Sequence, residues 1–283
     1  MKCIVNAAAL SFAMIWPAIQ STPAAAQIPE GLQNDQIEIS YVEPKNPAFR
    51  PIYDVLKKRQ VLEELRAFMA PLNMPHKLLV KTDECGGRTT AQYEHDGPVT
   101  ICYEFVASIE RLAPKETTEL GVSRNVALTG AFVMGALHEM AHAVFDILEV
   151  PVWGREDDAA DKLAAFIMLQ FGPDVALTTF KGAAHFLDAS NTTWAAADFA
   201  NVQSPEAQRY YNYLCLAHGG PASEAFKPFL TQVGFIKLAR SKLCIKEYAD
   251  MRWAWGQTIG KFVDSDLMDK VQHMNVLFPE DMK

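Results

Sequence analysis

The chain has 283 residues, 49% of them hydrophobic, and a formal charge of −8 at neutral pH. That acidic balance gives no overall electrostatic footprint for nucleic acid or for an anionic bilayer. Beyond the N-terminus no apolar run reaches the ~20 residues that a spanning helix needs, so the composition points to a chain that buries a sizeable core.

At the N-terminus Lys2 precedes an apolar run from Ile4 to Ile19, and Ala24-Ala25-Ala26 then supplies small residues. This is the pattern of an export signal cleaved before Gln27. Asn6, Ser11 and Pro17 interrupt the run, which sets it apart from a membrane anchor. We therefore expect a signal peptide over residues 1–26 and one domain over 27–283. The mature form is expected to be periplasmic or secreted, with no stable membrane insertion. Four cysteines remain after cleavage: Cys85, Cys102, Cys215 and Cys244. An even count in an exported chain predicts two disulfides. Three pairings are possible, and sequence proximity favours Cys85–Cys102 and Cys215–Cys244. None forms a C-x-x-C pair, which argues against a thiolate zinc site.

In chain order, Ile37, Ile39 and Tyr41 alternate with polar residues and predict a short strand. A turn region covers Pro44 to Pro51. From Ile52 to Met69, apolar residues at Val55, Val61, Leu62, Leu65 and Met69 have helical spacing and predict one helix. Lys77–Thr82 reads as a strand, Gly86-Gly87 as a turn, and Ala91–His95 and Val99–Tyr103 as two strands separated by Asp96-Gly97-Pro98. The remainder reads as nearly all helix. One helix runs from about Ser123 to Leu148 and stops before Pro151; a second runs from Gly154 to Gly172-Pro173. A third takes Ser204 as N-cap with Pro205 at the first helical position, and Gly219-Gly220 follows its end. Further helices are expected near Phe226–Val233 and Ile236–Trp255, and Lys181–Gln203 receives no assignment. The fold class is α+β: a small N-terminal sheet with a mostly helical C-terminal half.

The chemistry lies in Ala136-Leu-His-Glu-Met-Ala-His-Ala143. His138 and His142 are four apart and share one helix face, the spacing at which two imidazoles grip one zinc ion. Glu139 follows the first histidine directly and is the expected general base toward the attacking water. No charged residue occurs from Ala131 to Leu137, and Ala143-Val144-Phe145 follows the motif. The helix is therefore expected to be buried, where two histidines and a glutamate need partners.

A catalytic zinc wants a third protein ligand and one open position. Gly154-Arg-Glu-Asp-Asp-Ala-Ala-Asp161 offers four acids at the head of the next helix. Ala160, Leu163, Ala164, Ile167 and Phe171 define its inward stripe. Asp158 falls on the far side and is expected in solvent. Glu156 and Asp157 both border the stripe, so either is a candidate ligand. Asp161 lies beyond the first turn, where the helix dipole no longer explains an acid; a ligand histidine's N–H is the partner it fits.

An H-E-x-x-H followed on a second helix by an acid, and by Asp four residues later, resembles the gluzincin metallopeptidases. Mapped here, that pattern falls on Asp157 and Asp161. The resemblance implies a zincin-like fold, one zinc ion, an acid as third ligand and Asp161 orienting a ligand histidine. The chain departs from that group in having Asp, one carbon shorter than Glu, at position 157; Glu156 is longer but in poorer register with Asp161. A broader resemblance is to the DUF4344 family of exported metallopeptidases. It is carried by Glu84-Cys85, Thr100-Ile-Cys-Tyr-Glu104, His138–His142, Pro151–Asp161, Arg209-Tyr-Tyr-Asn-Tyr-Leu-Cys215, Cys244 and Glu247-Tyr248.

These readings predict a zinc peptidase acting on a peptide or protein substrate. The strands between Ala91 and Tyr103 are candidates for pairing with an extended peptide, and Tyr210, Tyr211, His185 and His218 are candidate oxyanion donors. Two other functions stay open: hydrolysis of a non-peptide amide, and a non-catalytic binding or scaffold role with a structural or degenerate metal site.

Overall fold

The computed structural model describes residues 32, 34–191 and 199–272; the leader expected over residues 1–26 lies outside them. The chain enters at strand β1 (Ile37–Tyr41), followed by helices α1 (Arg50–Lys58) and α2 (Val61–Phe68). Strands β2 (Leu78–Asp83), β3 (Gln92–Tyr93) and β4 (Val99–Cys102) come next. The sheet has the order β1-β2-β4-β3. β1–β2 and β2–β4 are parallel, whereas β3 pairs antiparallel to β4 with Tyr93 opposite Val99. Burial alternates along β2, and β4 is buried at all four positions, as befits an interior strand covered on both faces.

The expected single helix over 52–69 is two. Gln60 adopts a left-handed conformation (φ 56°) between α1 and α2, a break that no Gly or Pro announces. The strand expected to run to Tyr103 stops at Cys102, and Tyr103 opens helix α3 (Tyr103–Leu112). Tyr103 is fully buried there, its hydroxyl donating to the Val42 carbonyl at 2.5 Å and lying 2.9 Å from Thr82 Oγ1.

Helix α4 (Arg124–Ile147) is the spine. Ser123 caps it, its hydroxyl accepting from the Val126 N–H. Residues are buried almost all round from Ala127 to Phe145 because other elements cover it on several sides. The closest crossing is with α6 (Pro173–Ser190), much of which the sequence leaves unassigned. At this crossing a Cβ on Gly130 would lie 2.4 Å from the Thr179 carbonyl, and one on Gly182 would lie 2.0 Å from the Val126 carbonyl. Glycine is required at both positions because the backbones touch.

Helix α5 (Glu156–Met168) starts two residues later than expected. Helix α7 (Glu206–Gly219) takes Pro205, not Ser204, at its N-cap. Helices α8 (Ser223–Gln232), α9 (Cys244–Thr258) and α10 (Ser265–Gln272) complete the described elements. Residues 235–243 form short 3-10 turns, so the helix expected over Ile236–Trp255 begins only at Cys244.

Disulfides join Cys85 to Cys102 and Cys215 to Cys244, the pairings that proximity favours. The first ties the loop after β2 to the end of β4. The second clamps α7 to α9, where Gly219 approaches the Cys244 carbonyl too closely for any side chain. The C-terminal elements return to the N-terminal half through Asn73 N–H to the Phe262 carbonyl and Asp264 N–H to the Pro71 carbonyl, each 2.8 Å. Among the described residues no helix is long and apolar enough to cross a membrane.

Candidate metal centre and cleft

The site is made by folding the head of α5 back onto the middle of α4. After Ile147 the chain reverses through Glu149, held at φ 50°. The Glu149 N–H bonds the Asp146 carbonyl at 3.1 Å and the Val150 N–H bonds the Phe145 carbonyl at 2.8 Å. This is a Schellman closure with glutamate in the position usually given to glycine. Gly154, at φ 97°, makes the second turn. Arg155 then fixes the start of α5, donating to Ser204 Oγ at 3.0 Å and to the Phe199 carbonyl.

His138 and His142 consequently meet the acids of α5. Their Nε2 atoms are 3.2 Å apart, and Asp157 Oδ1 is 3.5 Å from Nε2 of His138 and 3.9 Å from Nε2 of His142. Two donors bound tetrahedrally at about 2.0–2.1 Å stand ~3.4 Å apart, so the three atoms already surround one point at metal-ligand spacing. Two imidazoles and a carboxylate are a donor set suited to zinc. Of the two acids expected to compete as third ligand, Asp157 shares this point. Glu156 instead lies behind His142, its Oε1 2.7 Å from Nδ1. Asp161 occupies the equivalent place behind His138, with Oδ1 2.8 Å from Nδ1. Each ring thus has a carboxylate on the nitrogen facing away from the shared point, which fixes ring orientation. Asp158, expected in solvent, is half-buried with one carboxylate oxygen unpaired.

Behind Asp161 sits a residue that residue-by-residue reading did not single out. Arg209 of α7 donates Nε to Asp161 Oδ2 at 2.7 Å and Nη2 to Oδ1 at 2.8 Å, and both residues are buried. Burial opposes ionisation of Asp161, but the Arg209 charge and fork, with His138, outweigh it and hold the carboxyl far below the usual range. Its signal was available: Arg209 lies four and seven residues before Tyr213 and Leu216, on the buried stripe of α7. Glu104, named in the sequence only as part of the family resemblance, serves the sheet. Its carboxylate accepts the N–H groups of Cys85 (3.0 Å) and Gly87 (2.9 Å), holding the glycine turn beside the first disulfide.

Glu139 lies with His142 and Asp157 in a cleft of about 680 Å³, bordered by Ala91, Gln92 and Tyr93 of the sheet edge and by His95. Burial raises the Glu139 pKa against the pull of the two histidines and the Tyr93 backbone N–H. Asp146, one turn after His142, organises the opposite wall. It accepts from the Tyr93 hydroxyl at 2.5 Å and the Asp96 N–H at 3.2 Å, and its Oδ1 is 2.7 Å from Nδ1 of His95. Burial raises its pKa, but these contacts prevail and lower it. None of the expected oxyanion donors lines the cleft. His185 Nε2 faces the Leu112 carbonyl at 3.3 Å, and Tyr211 and His218 pack near Phe235. Tyr210 packs edge-on against Tyr211. A second cavity, about 560 Å³ and mostly apolar, lies between α2, α5 and α9 and contains none of these groups.

The architecture and site define an α+β protein with a two-histidine, one-carboxylate cluster and an adjacent buried glutamate in an open cleft. Residues 41–259 match the family model DUF4344, described as putative metallopeptidase, and the chain belongs to that family. Comparisons with curated proteins and with solved structures returned no match.

Proposed function

We propose that the protein is an exported, zinc-dependent peptidase with a zincin-like active site. The reading rests on one observation above others: His138, His142 and Asp157 converge on a single point beside Glu139. His138, His142 and Asp157 would hold the zinc, with Asp161 and Glu156 fixing the two rings from behind. Zinc bound there supplies a Lewis acid that polarises the scissile carbonyl and lowers the pKa of water to about 7.

The remaining work falls to the chain's own groups. Glu139 takes the proton of the attacking water and delivers it to the leaving amine. The edge strand β3 pairs with the main chain of an extended peptide, because its outer side has no neighbouring strand among the described residues. His95, held at Nδ1 by Asp146 on the border of the cleft, is the side chain placed to stabilise the developing oxyanion through Nε2.

A fluorogenic peptide library and a set of peptidoglycan fragments, each tested with wild type and Glu139→Gln, check the proposal. The expected result is peptide cleavage that a chelator stops and zinc restores, with Glu139→Gln at least ~100-fold slower at unchanged zinc content. Full activity in Glu139→Gln overturns the mechanism. Cleavage of envelope amides alone replaces the peptidase reading, and bound zinc with no turnover moves it to a non-catalytic binding protein.

A further inference from the structure

The overall charge of −8 conceals a segregated one. Between Lys237 and Lys261 there are six bases (Lys237, Arg240, Lys242, Lys246, Arg252 and Lys261) against Glu247 and Asp250. Helix α9 lies inside this stretch. Its inner face carries Cys244, Tyr248 and Met251, all buried. At 100° per residue Ile245, Ala249, Trp253 and Gly256 form one row along the flank next to that face, and all four are exposed. The large side chains there stand well out of the protein: Ile245 is 68% exposed and Trp253 69%, with Leu243 at 63% in the preceding turn. Ile245 and Trp253 are about 12 Å apart along the helix. Ile245, Ala249 and Trp253 thus stand in one row at i, i+4 and i+8 with Leu243 beside its start, and grouped exposed apolar side chains mark interaction surfaces.

We propose that this exposed flank of α9 docks the protein on an anionic lipid surface. Charge selects that occupant. Lys242 and Arg252 flank the strip and form no ion pair among the described residues, while Lys246 beside Trp253 is paired only with the exposed Asp250. Long basic stems lie along apolar surface while their heads reach phosphates. An exposed indole such as that of Trp253 suits the boundary between headgroup and acyl chain. The buried inner face stays locked to α7 through Cys215–Cys244, so the contact is peripheral and requires no unfolding. No residue lining the catalytic cleft comes from α9, which leaves the cleft open to substrate on a docked molecule.

The test uses the mature protein with its leader processed, so that the apolar N-terminal run does not contribute. It is floated with unilamellar vesicles of phosphatidylcholine, with and without 30% phosphatidylglycerol. The expected result is binding about tenfold stronger to the anionic vesicles, weakened by 0.5 M salt. Trp253→Ser and Ile245→Ser should each reduce it several-fold, with circular dichroism unchanged because both side chains are exposed. Lys242→Glu should remove the preference for phosphatidylglycerol while retaining weak binding to both vesicles. No binding to either vesicle, or equal binding by wild type and Trp253→Ser, overturns the proposal. A concentration-dependent dimer in light scattering that Trp253→Ser disperses overturns it in favour of a second copy of the chain.

Discussion

Arg209 grips both oxygens of Asp161 while Asp161 Oδ1 also meets Nδ1 of His138, so three buried side chains from α7, α5 and α4 form one relay ending at the candidate metal centre. The far end of the relay is the Nε2 atom facing Asp157 and His142. Neither Asp161 nor Arg209 touches the shared point, yet the ring cannot turn without breaking the relay.

Removing Arg209 tests this arrangement. Arg209→Met leaves Asp161 buried without its counter-ion, which is expected to cost about 3–5 kcal/mol in urea unfolding. Zinc affinity, measured by chelator competition, should fall roughly 10–100-fold. The double variant Arg209→Met/Asp161→Leu should recover stability without recovering affinity, because no charge is then stranded but His138 has lost its partner. Unchanged zinc affinity in Arg209→Met would show that the relay plays no positioning part.

Zinc binding should tighten with pH. Burial alone depresses the His138 pKa, but Asp161 and Asp157 outweigh it and raise it to about 9. In the metal-free protein the ring is therefore protonated at neutral pH, and zinc must displace that proton. The apparent Kd should fall up to about tenfold per pH unit while His138 titrates. Stability follows the same sign. A raised folded-state pKa contributes stability below the unfolded value of ~6.5 that is lost as pH rises through about 9. Metal-free protein should thus lose stability across that window relative to zinc-loaded protein, a comparison in which the raised pKa of buried Glu64 cancels. Parallel pH profiles for the two forms would contradict the assignment.

His95 should matter to turnover more than to binding. Losing one oxyanion donor typically costs about 100- to 1000-fold in kcat, so His95→Ala is expected to lower kcat by roughly 100-fold with KM little changed. Asp146→Asn should give a smaller loss, since it keeps the side chain's size while weakening the hold on His95 and Tyr93. Steady-state kinetics on a peptide substrate separates the two, and an unchanged kcat in His95→Ala would remove it from the mechanism.

What could be read from the sequence follows physical signal strength. α4 was legible because a long apolar run with a serine cap has few alternative states, whereas helical register put Asp158 in solvent and the fold half-buries it. The choice between Glu156 and Asp157 was not legible, because it depends on how the loop through Glu149 and Gly154 aims the start of α5. α6 was obscured because Ala176, Thr179, Gly182, Ala183 and Ala184, small residues that permit backbone contact, make up most of its buried face and leave only Phe180 and Leu187 as large apolar markers. α3 follows β4 with no breaker between them. The overall charge likewise hid the basic stretch around α9, since a sum over the chain carries no positional information.

The most direct test of the central claim is the zinc content of the purified protein by elemental analysis, with His142→Ala and Asp157→Ala measured alongside. The account predicts about one zinc per wild-type chain, with content lost in His142→Ala and strongly reduced in Asp157→Ala. No zinc in the wild type after reconstitution, or full zinc content in both variants, would contradict it.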